Sequence, residues 1–336
     1  MPKVSIVLPV YNVAQYIGKC TESLLNQTLD DLEVFFVDDH GPDNSMQIAK
    51  QLVQGHRRAA EFHFIETPQN MGAGMARNFA IEKCTGEYIA FVDSDDWIEP
   101  TMFEDLYNRA KQFDADICYG QGSQDFSDGR PSNLLKNPDI AEGPISHQDR
   151  AYFLANYVSY FWTFIYKRSL IIDKNIRYPE ERCADDSFFV ACALFTAKTA
   201  AHVNKVFYHY LIRENSVVTT KNPTKYLKRL TVFKKLLAYA KEQGVYEEFK
   251  PEIDFLYVKK GYLVSSFNYI VNVETPTITE LKRIRQEVEA EVPGYRDNAY
   301  LRKSLSTRCT DWLLGCLPKL ALKIVPVYVR KTGVLV

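Results

Sequence analysis

No Cys-x-x-Cys pair occurs in the 336 residues, and the seven cysteines are scattered singly from Cys20 to Cys316. That excludes a paired-cysteine zinc site and a disulfide framework, and it fits reduced thiols in the cytosol. Internal repeats and low-complexity tracts are also missing. No apolar run approaches the roughly 20 residues that span a bilayer. The start, MPKVSIVLPVYN, lacks the apolar core and cleavage site of a signal peptide. The formal sequon at Asn26 is therefore read as chance. Charge of one sign is absent too: the formal net is -1, so there is no overall nucleic-acid footprint. What remains is 46% hydrophobic, ordinary for a globular chain with a sizeable core, in one large domain or two smaller ones.

One stretch stands out, Gly86 to Pro100, reading GEYIAFVDSDDWIEP. Tyr88 to Val92 is short, apolar and β-rich, and reads as a strand buried on both faces. It ends in Asp93, Asp95 and Asp96. Three carboxylates in four positions repel one another, and a divalent cation offsets that repulsion. In open α/β sheets ligands gather at the carboxyl ends of strands. The plain alternative is a solvated turn in which Asp95 or Asp96 caps a helix starting near Pro100.

The rest of the first half alternates. Val4 to Val10 reads as a strand, and Tyr16, Ile17, Cys20 and Leu24 recur at helical spacing. Leu32 to Val37 is a second strand, ending in Asp38 and Asp39. Asp43 or Asn44 then caps a helix through Leu52. Phe62 to Glu66 is a third strand, followed by the loop TPQNMGAG and a helix over Ala76 to Lys83. This alternation predicts a mostly parallel, doubly wound α/β sheet with helices on both faces. Tyr11 with Asn12, Asp38 with Asp39, and the Asp93 cluster then share one sheet edge, which favours a site over a turn.

Beyond it, Phe103 to Phe113 reads as a helix and Asp116 to Gly120 as a strand, with Asp114 and Asp116 as turn residues at its wrong end. Gly122 to Gly143 reads as a surface excursion. The aromatics of Asp149 to Lys167 read mostly as core, with Trp162 as the sugar-stacking exception. Asp185 and Asp186 open a helix running to Thr196. They either cap it or supply a carboxylate base. Val203 to Ile212 is a strand, followed by Arg213, a phosphate contact or a surface ion pair. His209 reads as a satisfied structural histidine. From Asn222-Pro223 the period turns helical, giving a catalytic region 1–220 and a helical region 221–336. Residues 301–336 hold seven basic residues against Asp311 alone, a net of +6, between apolar runs broken by Lys319, Lys323, Pro318 and Pro326. Such a segment either packs on the protein or lies in the interface of an anionic membrane.

Five ordered blocks within residues 4–100 carry a resemblance: VSIVLPVYN, LLNQT, VDD with DNS, NMGAGMARN, and GEYIAFVDSDDWIEP. Together they resemble the family 2 inverting glycosyltransferases of the GT-A fold, of the bacterial polysaccharide-biosynthesis type. Weaker matches, FWTFIYKRSL, CADDSFF and YHYLIRENS, run on to about residue 216. The resemblance implies that Pro9, Tyr11, Asp38 and Asp39 line the base-and-ribose pocket of a nucleotide-diphosphate sugar, with UDP as the default. It implies that Arg77 approaches the nucleotide, that Asp93 contacts ribose or shares the metal, and that Asp95 is the main ligand of Mn²⁺ or Mg²⁺. Asp186 corresponds to the catalytic base, and Asp185 stands where the family has Glu. Asp185, Asp96 and Trp162 are expected beside substrate. His40 replaces the glycine usual after the aspartate pair.

The reaction expected is displacement at an anomeric carbon, with a metal offsetting charge on the leaving diphosphate and Asp186 taking the proton of an acceptor hydroxyl. The acceptor is a glycan or lipid-linked glycan, the location cytoplasmic or peripheral on the inner face of the cytoplasmic membrane, and a homodimer is left open. Two rival classes are a sugar-1-phosphate nucleotidyltransferase and a non-catalytic nucleotide-sugar-binding subunit. Tyr11-Asn12-Val13 stands where the first would carry a Gly-rich loop with an Arg. Intact acids argue against the second.

Overall fold

The computed structural model describes residues 1–156, 158–212 and 223–332. They form two compact units, residues 1–150 with 158–212, and residues 151–156 with 223–332.

The first unit is built on one mixed sheet. β1 (Val4–Val10), β2 (Leu32–Asp38), β3 (Phe62–Glu66) and β4 (Tyr88–Phe91) are its parallel part, in the spatial order β3-β2-β1-β4. α1 (Ile17–Leu25), α2 (Ser45–Val53) and α3 (Ala73–Ile81) lie in the connections. All seven residues of β1 and all four of β4 are buried. Each large apolar side chain buried this way contributes about 1.5–3 kcal/mol, so these strands form where their sequence is continuously apolar. Parallel pairing puts the ends of β1, β2, β3 and β4 on one edge.

The sheet continues differently from the simple alternation. After β5 (Trp97–Ile98) and α4 (Met102–Phe113) come β6 (Ile117–Phe126), β7 (Asn133–Leu135), β8 (Gly143–Pro144) and α5 (His147–Asn156). β9 (Phe164–Lys167), which lies in the aromatic-rich stretch, inserts antiparallel between β4 and β6. α6 (Arg168–Asp173) and α7 (Asp185–Thr196) lead to β10 (Thr199–Ile212), which runs parallel to β6 and carries β5 antiparallel on its other side. β6 and β10 thus run with β4. The segment read as a surface excursion is partly sheet: β7 pairs with β6, and Asn137 is buried, its amide donating to the Gly120 carbonyl at 2.7 Å and the Thr163 hydroxyl at 2.8 Å. Asp114 ends α4 in a left-handed conformation, and Asp116 accepts from the Lys198 N–H at 2.6 Å, so that pair is structural.

The second unit is helical among its described residues: α8 (Lys225–Glu242), α9 (Lys250–Leu256), a π-helical segment over Tyr257–Leu263, α10 (Val264–Asn272), α11 (Ile278–Glu291), α12 (Ala299–Lys303), α13 (Leu305–Cys316) and α14 (Pro318–Thr332). No helix among the described residues is long and apolar enough to cross a membrane.

Candidate active site

Arg77 is the hub. It projects from α3 and is only 4% exposed. Its Nη2 donates to Asp93 Oδ1 at 2.5 Å, and its Nη1 lies 4.0 Å from Asp185 Oδ2 and 3.9 Å from Asp186 Oδ1. The rings of Phe161 and Tyr178 pack against the guanidinium at 4.5 and 5.1 Å. Burial alone would weaken the charge on Arg77, but Asp93 and the other acids outweigh it and push its proton affinity up. One cation thus ties the acid at the end of β4 to the acid pair at the start of α7.

Asp186 sits in the first turn of α7 with its side chain 43% exposed. Its place in the cleft and the neighbouring Asp185 push its proton affinity well above the usual carboxylate range, and Arg77 opposes them. The helix is preceded by Arg182 and Ala184, both at left-handed φ, +51° and +55°. Such backbone is costly for residues with a Cβ and is held here by its surroundings. Arg182 donates to the Asn70 carbonyl at 2.9 Å and to Asn70 Oδ1 at 3.1 Å. It lies where a Cβ on Gly72, itself at φ +84°, would come within 2.6 Å of its Nε. The NMGAG loop is thereby clamped to the segment that carries Asp185 and Asp186.

The end of β4 is fixed from β10. The Tyr208 hydroxyl donates to Asp96 Oδ2 at 2.8 Å and accepts from the Asp93 N–H at 2.9 Å. The Leu211 N–H donates to Asp96 Oδ1 at 2.8 Å. Asp96 is 1% exposed, and burial followed by Asp95 and Asp93 raises its proton affinity. The expectation that Asp96 touches substrate is therefore revised: both its oxygens are committed to the fold. Asp95 stands half-buried between Asp93 and Asp96. Trp162 is likewise revised. It is buried in a ring stack, 4.0 Å from Tyr208 and 5.3 Å from Tyr160, and offers no face to a sugar.

At the ends of β1 and β2 the loops nearly touch. A Cβ on Gly41 would lie 2.9 Å from the Asn12 nitrogen. Pro9 is buried in β1, and Tyr11 is 48% exposed at its end. Asp38 Oδ1 accepts from the His40 N–H at 2.9 Å. Asp39 is buried, and its carboxylate accepts from the Met71 N–H at 2.7 Å and the Gly72 N–H at 2.8 Å, so it shapes the loop leading into α3 and Arg77. His40 holds the left-handed conformation, φ +60°, that a glycine would take freely, and its ring bonds to the Thr67 carbonyl at 2.6 Å. Asp43 Oδ2 accepts from the Ala14 N–H at 2.8 Å, joining the two loops.

His209 is held between Asp125 and Glu99, both at 2.8 Å, which is the structural role expected of it. Arg213 lies outside the described residues. Sequence reasoning missed Tyr208, Arg182, Tyr178 and Phe161. Arg182 lies between Glu181 and the Asp185–Asp186 pair, but the three aromatics sit in no acidic or glycine-rich motif, and only β10, the turn before β9 and the segment before α7 bring the four to the site.

A mixed sheet with acids collected on one edge is the architecture of the GT-A glycosyltransferases. The family profile described as Glycosyl transferase family 2 matches residues 5–173. EpsH of Bacillus subtilis (strain 168) is 33% identical over 258 residues, covering 75% of this chain and 73% of EpsH. Among solved structures, S. aureus TarS 1-349 in complex with UDP-GlcNAc matches with a TM-score of 0.62 at 21% identity, over 98% of this chain and 92% of that one. The mannosyltransferase PcManGT from Pyrobaculum calidifontis in complex with GDP-Man and Mn²⁺ matches with a TM-score of 0.54 at 16% identity, over 99% and 85%. The chain belongs to glycosyl transferase family 2 and is a glycosyltransferase of the GT-A fold.

Proposed function

We propose that the enzyme moves a sugar from a nucleotide-diphosphate sugar, a UDP-sugar, to a hydroxyl of a glycan or lipid-linked glycan in bacterial polysaccharide synthesis. The step is a metal-dependent single displacement with inversion. The observation that carries it is the shared guanidinium: Arg77 lies 2.5 Å from Asp93 and 3.9 Å from Asp186, so the strand-end acid and the helix-start acid border one space. The neighbouring structures with UDP-GlcNAc and with GDP-Man and Mn²⁺ support the donor class.

No three His, Cys, Asp or Glu residues converge as a closed metal cage among the described residues. Mg²⁺ and Mn²⁺ take one or two carboxylates and complete their shell with substrate phosphates and water. Asp95, with Asp93, would hold such an ion through hard oxygen donors. Bound there, it would offset charge on the departing diphosphate.

The protein's own residues do the rest. Asp186 takes the proton of the acceptor hydroxyl, its raised proton affinity bringing it nearer to working pH. Asp185 and Asp93 flank Arg77 and keep it beside the phosphates. Arg77 Nε and the Tyr178 hydroxyl are buried without a hydrogen-bond partner among the described residues, polar groups that a bound donor would satisfy. Pro9, Tyr11, Asp38 and the loop held by Asp39 receive the base and ribose. No enzyme nucleophile is needed.

The test is incubation with a panel of UDP-sugars, acceptor glycans and Mn²⁺. UDP release with the matching sugar, and an inverted anomeric coupling in the product, are expected. Pyrophosphate from UTP and a sugar-1-phosphate would make the protein a nucleotidyltransferase instead.

A further inference from the structure

Among the large apolar side chains exposed in the described residues, seven fall between Leu305 and Tyr328. They are not scattered. On α13 the outward positions are Leu305, Cys309, Trp312 and Cys316, one helical face, with Leu305 70% and Trp312 56% exposed. On α14 they are Leu320, Ile324, Val327 and Tyr328, again one face, while Ala321 and Val325 turn inward. Lys319 and Lys323 flank that second face and are exposed. An amphipathic helix of a folded domain normally buries its apolar face. α14 instead buries Ala321 and Val325 and leaves Leu320, Ile324, Val327 and Tyr328 exposed.

The same α13 face, Leu305, Cys309, Trp312 and Cys316, forms the apolar wall of a cavity of about 500 Å³ whose other lining includes Arg285, Arg296, Arg308 and Asp311. Asp311 is already engaged: it accepts from the Tyr295 hydroxyl at 2.6 Å and from Arg296 Nε at 3.0 Å. Glu289 stands 3.0 Å from Arg296 and 3.8 Å from Arg285. Among the described residues Arg308 makes a long contact with the Arg302 carbonyl, at 3.4 Å. Three guanidiniums thus face two carboxylates, and the excess is positive. Arg285 reaches its place across Gly315, where a Cβ would come within 1.7 Å of its Nη1. A glycine in mid-helix costs about 1 kcal/mol against alanine, and here it lets one guanidinium lie against the helix wall of the cavity.

We propose that the outward faces of α13 and α14 lie on an anionic phospholipid surface, with a lipid phosphate seated in the arginine-lined cavity and Trp312 at the headgroup level. Charge selects this occupant. Lys319, Lys323 and Arg308 ring the apolar faces, and across residues 301–336 only Asp311 is acidic. A second copy docked on the same face would set these cations against their own counterparts. An anionic bilayer supplies the opposite sign, about 1 kcal/mol for each Lys or Arg near its surface. Tryptophan and leucine enter the headgroup boundary. The inference goes beyond the transfer reaction, since its readout involves no sugar.

The experiment is co-sedimentation of the full chain with phosphatidylglycerol or phosphatidylcholine vesicles, with UDP binding as the check on folding. Binding to the first and not the second is expected. Arg308→Gln and Lys323→Gln should each lower partitioning about fivefold. Leu320→Ser with Ile324→Ser should lower it further. Quenching of protein fluorescence by brominated phosphatidylglycerol should vanish in Trp312→Phe, leaving Trp97 and Trp162 unquenched. Equal binding to both vesicles, binding to neither, or quenching retained in Trp312→Phe would overturn the proposal. So would a dimer that Leu320→Ser and Ile324→Ser convert to monomer, because a second copy would then own the face.

Discussion

Gly74 and Asp185 stand so close that a Cβ on the glycine would lie 2.9 Å from the carboxylate oxygen and 3.1 Å from the Cβ of Tyr178. The carboxylate therefore rests against the first turn of α3, where the exposed N–H groups and the helix dipole favour negative charge. One turn further along, Arg77 faces the same carboxylate. The second glycine of NMGAG is thus explained by what presses on it from residues 178–185, not by any turn it makes.

Gly74→Ala should push Asp185 and Tyr178 away from α3 and open the Arg77 cluster. Overpacking of this kind costs about 1–3 kcal/mol, and misplacing a reacting group by 1 Å lowers the rate by about a hundredfold. Urea melts and steady-state transfer rates read the two effects separately. Wild-type rates in Gly74→Ala would mean that Asp185 has no part in positioning the site.

Tyr208→Phe removes one hydroxyl and two hydrogen bonds, one to Asp96 and one from the Asp93 N–H. Leaving those buried partners unsatisfied costs about 1–3 kcal/mol. Asp96 should hold its proton still more tightly, because the bond it loses was opposing its burial. The loop that carries Asp93 and Asp95 should loosen, so a Mn²⁺ titration of transfer should shift to higher concentration while the rate at saturating Mn²⁺ recovers. A parallel fall at every Mn²⁺ concentration would place Tyr208 elsewhere in the reaction.

How much of this was legible beforehand depends on whether a residue's role was local. Asp93, Asp95, Asp185 and Asp186 announce themselves, because a strand end or helix start crowded with carboxylates is conspicuous in one dimension. The strands β1 to β4 were equally plain, being continuous apolar runs between polar loops. β9 was hidden: Phe164 to Lys167 is a four-residue strand inside an aromatic-rich stretch, and no local pattern says that it will divide two strands running the other way. Trp162 followed from that error, since the same insertion buries it against Tyr208. Asp96 looked like its neighbours Asp93 and Asp95, and only β10, more than a hundred residues away, makes it an anchor. The left-handed His40 was visible as a departure from glycine, but not its compensating bond to Thr67.

The pH dependence follows from Asp186. With Asp186 as the proposed base, its desolvated place in the cleft and the neighbouring Asp185 raise its proton affinity, so the acid limb of the transfer profile should lie above the ordinary carboxylate range. Activity is lost as pH falls through that raised value, because a protonated base accepts nothing. The effect on folding has the opposite sense: a carboxyl whose folded value is raised adds stability at low pH, and that stability is lost as pH rises through the folded value. Arg77 pulls the value down, so Arg77→Lys, which loses the planar fork, should move the acid limb upward. An unmoved limb would separate Arg77 from the base. Asp186→Asn should keep UDP affinity and lose transfer by about 10²–10⁴-fold, the range for removing a general base.

Metal removal distinguishes the two acids of the β4 end. Asp93 is held by Arg77, while Asp95, half-buried two residues on, is the one proposed to face the diphosphate. EDTA-treated enzyme should lose transfer, and Mn²⁺ or Mg²⁺ should restore it. In Asp95→Ala restoration should fail, and UDP should bind with the weak affinity that the wild type shows in EDTA. Asp93→Asn is expected to behave differently: it releases Arg77 from its strongest partner, so melting temperature should fall along with activity. Calorimetric titration of UDP with and without Mn²⁺ decides the matter. If Asp95→Ala binds UDP in Mn²⁺ as tightly as the wild type does, Asp95 is not the ligand and the cation must be held elsewhere.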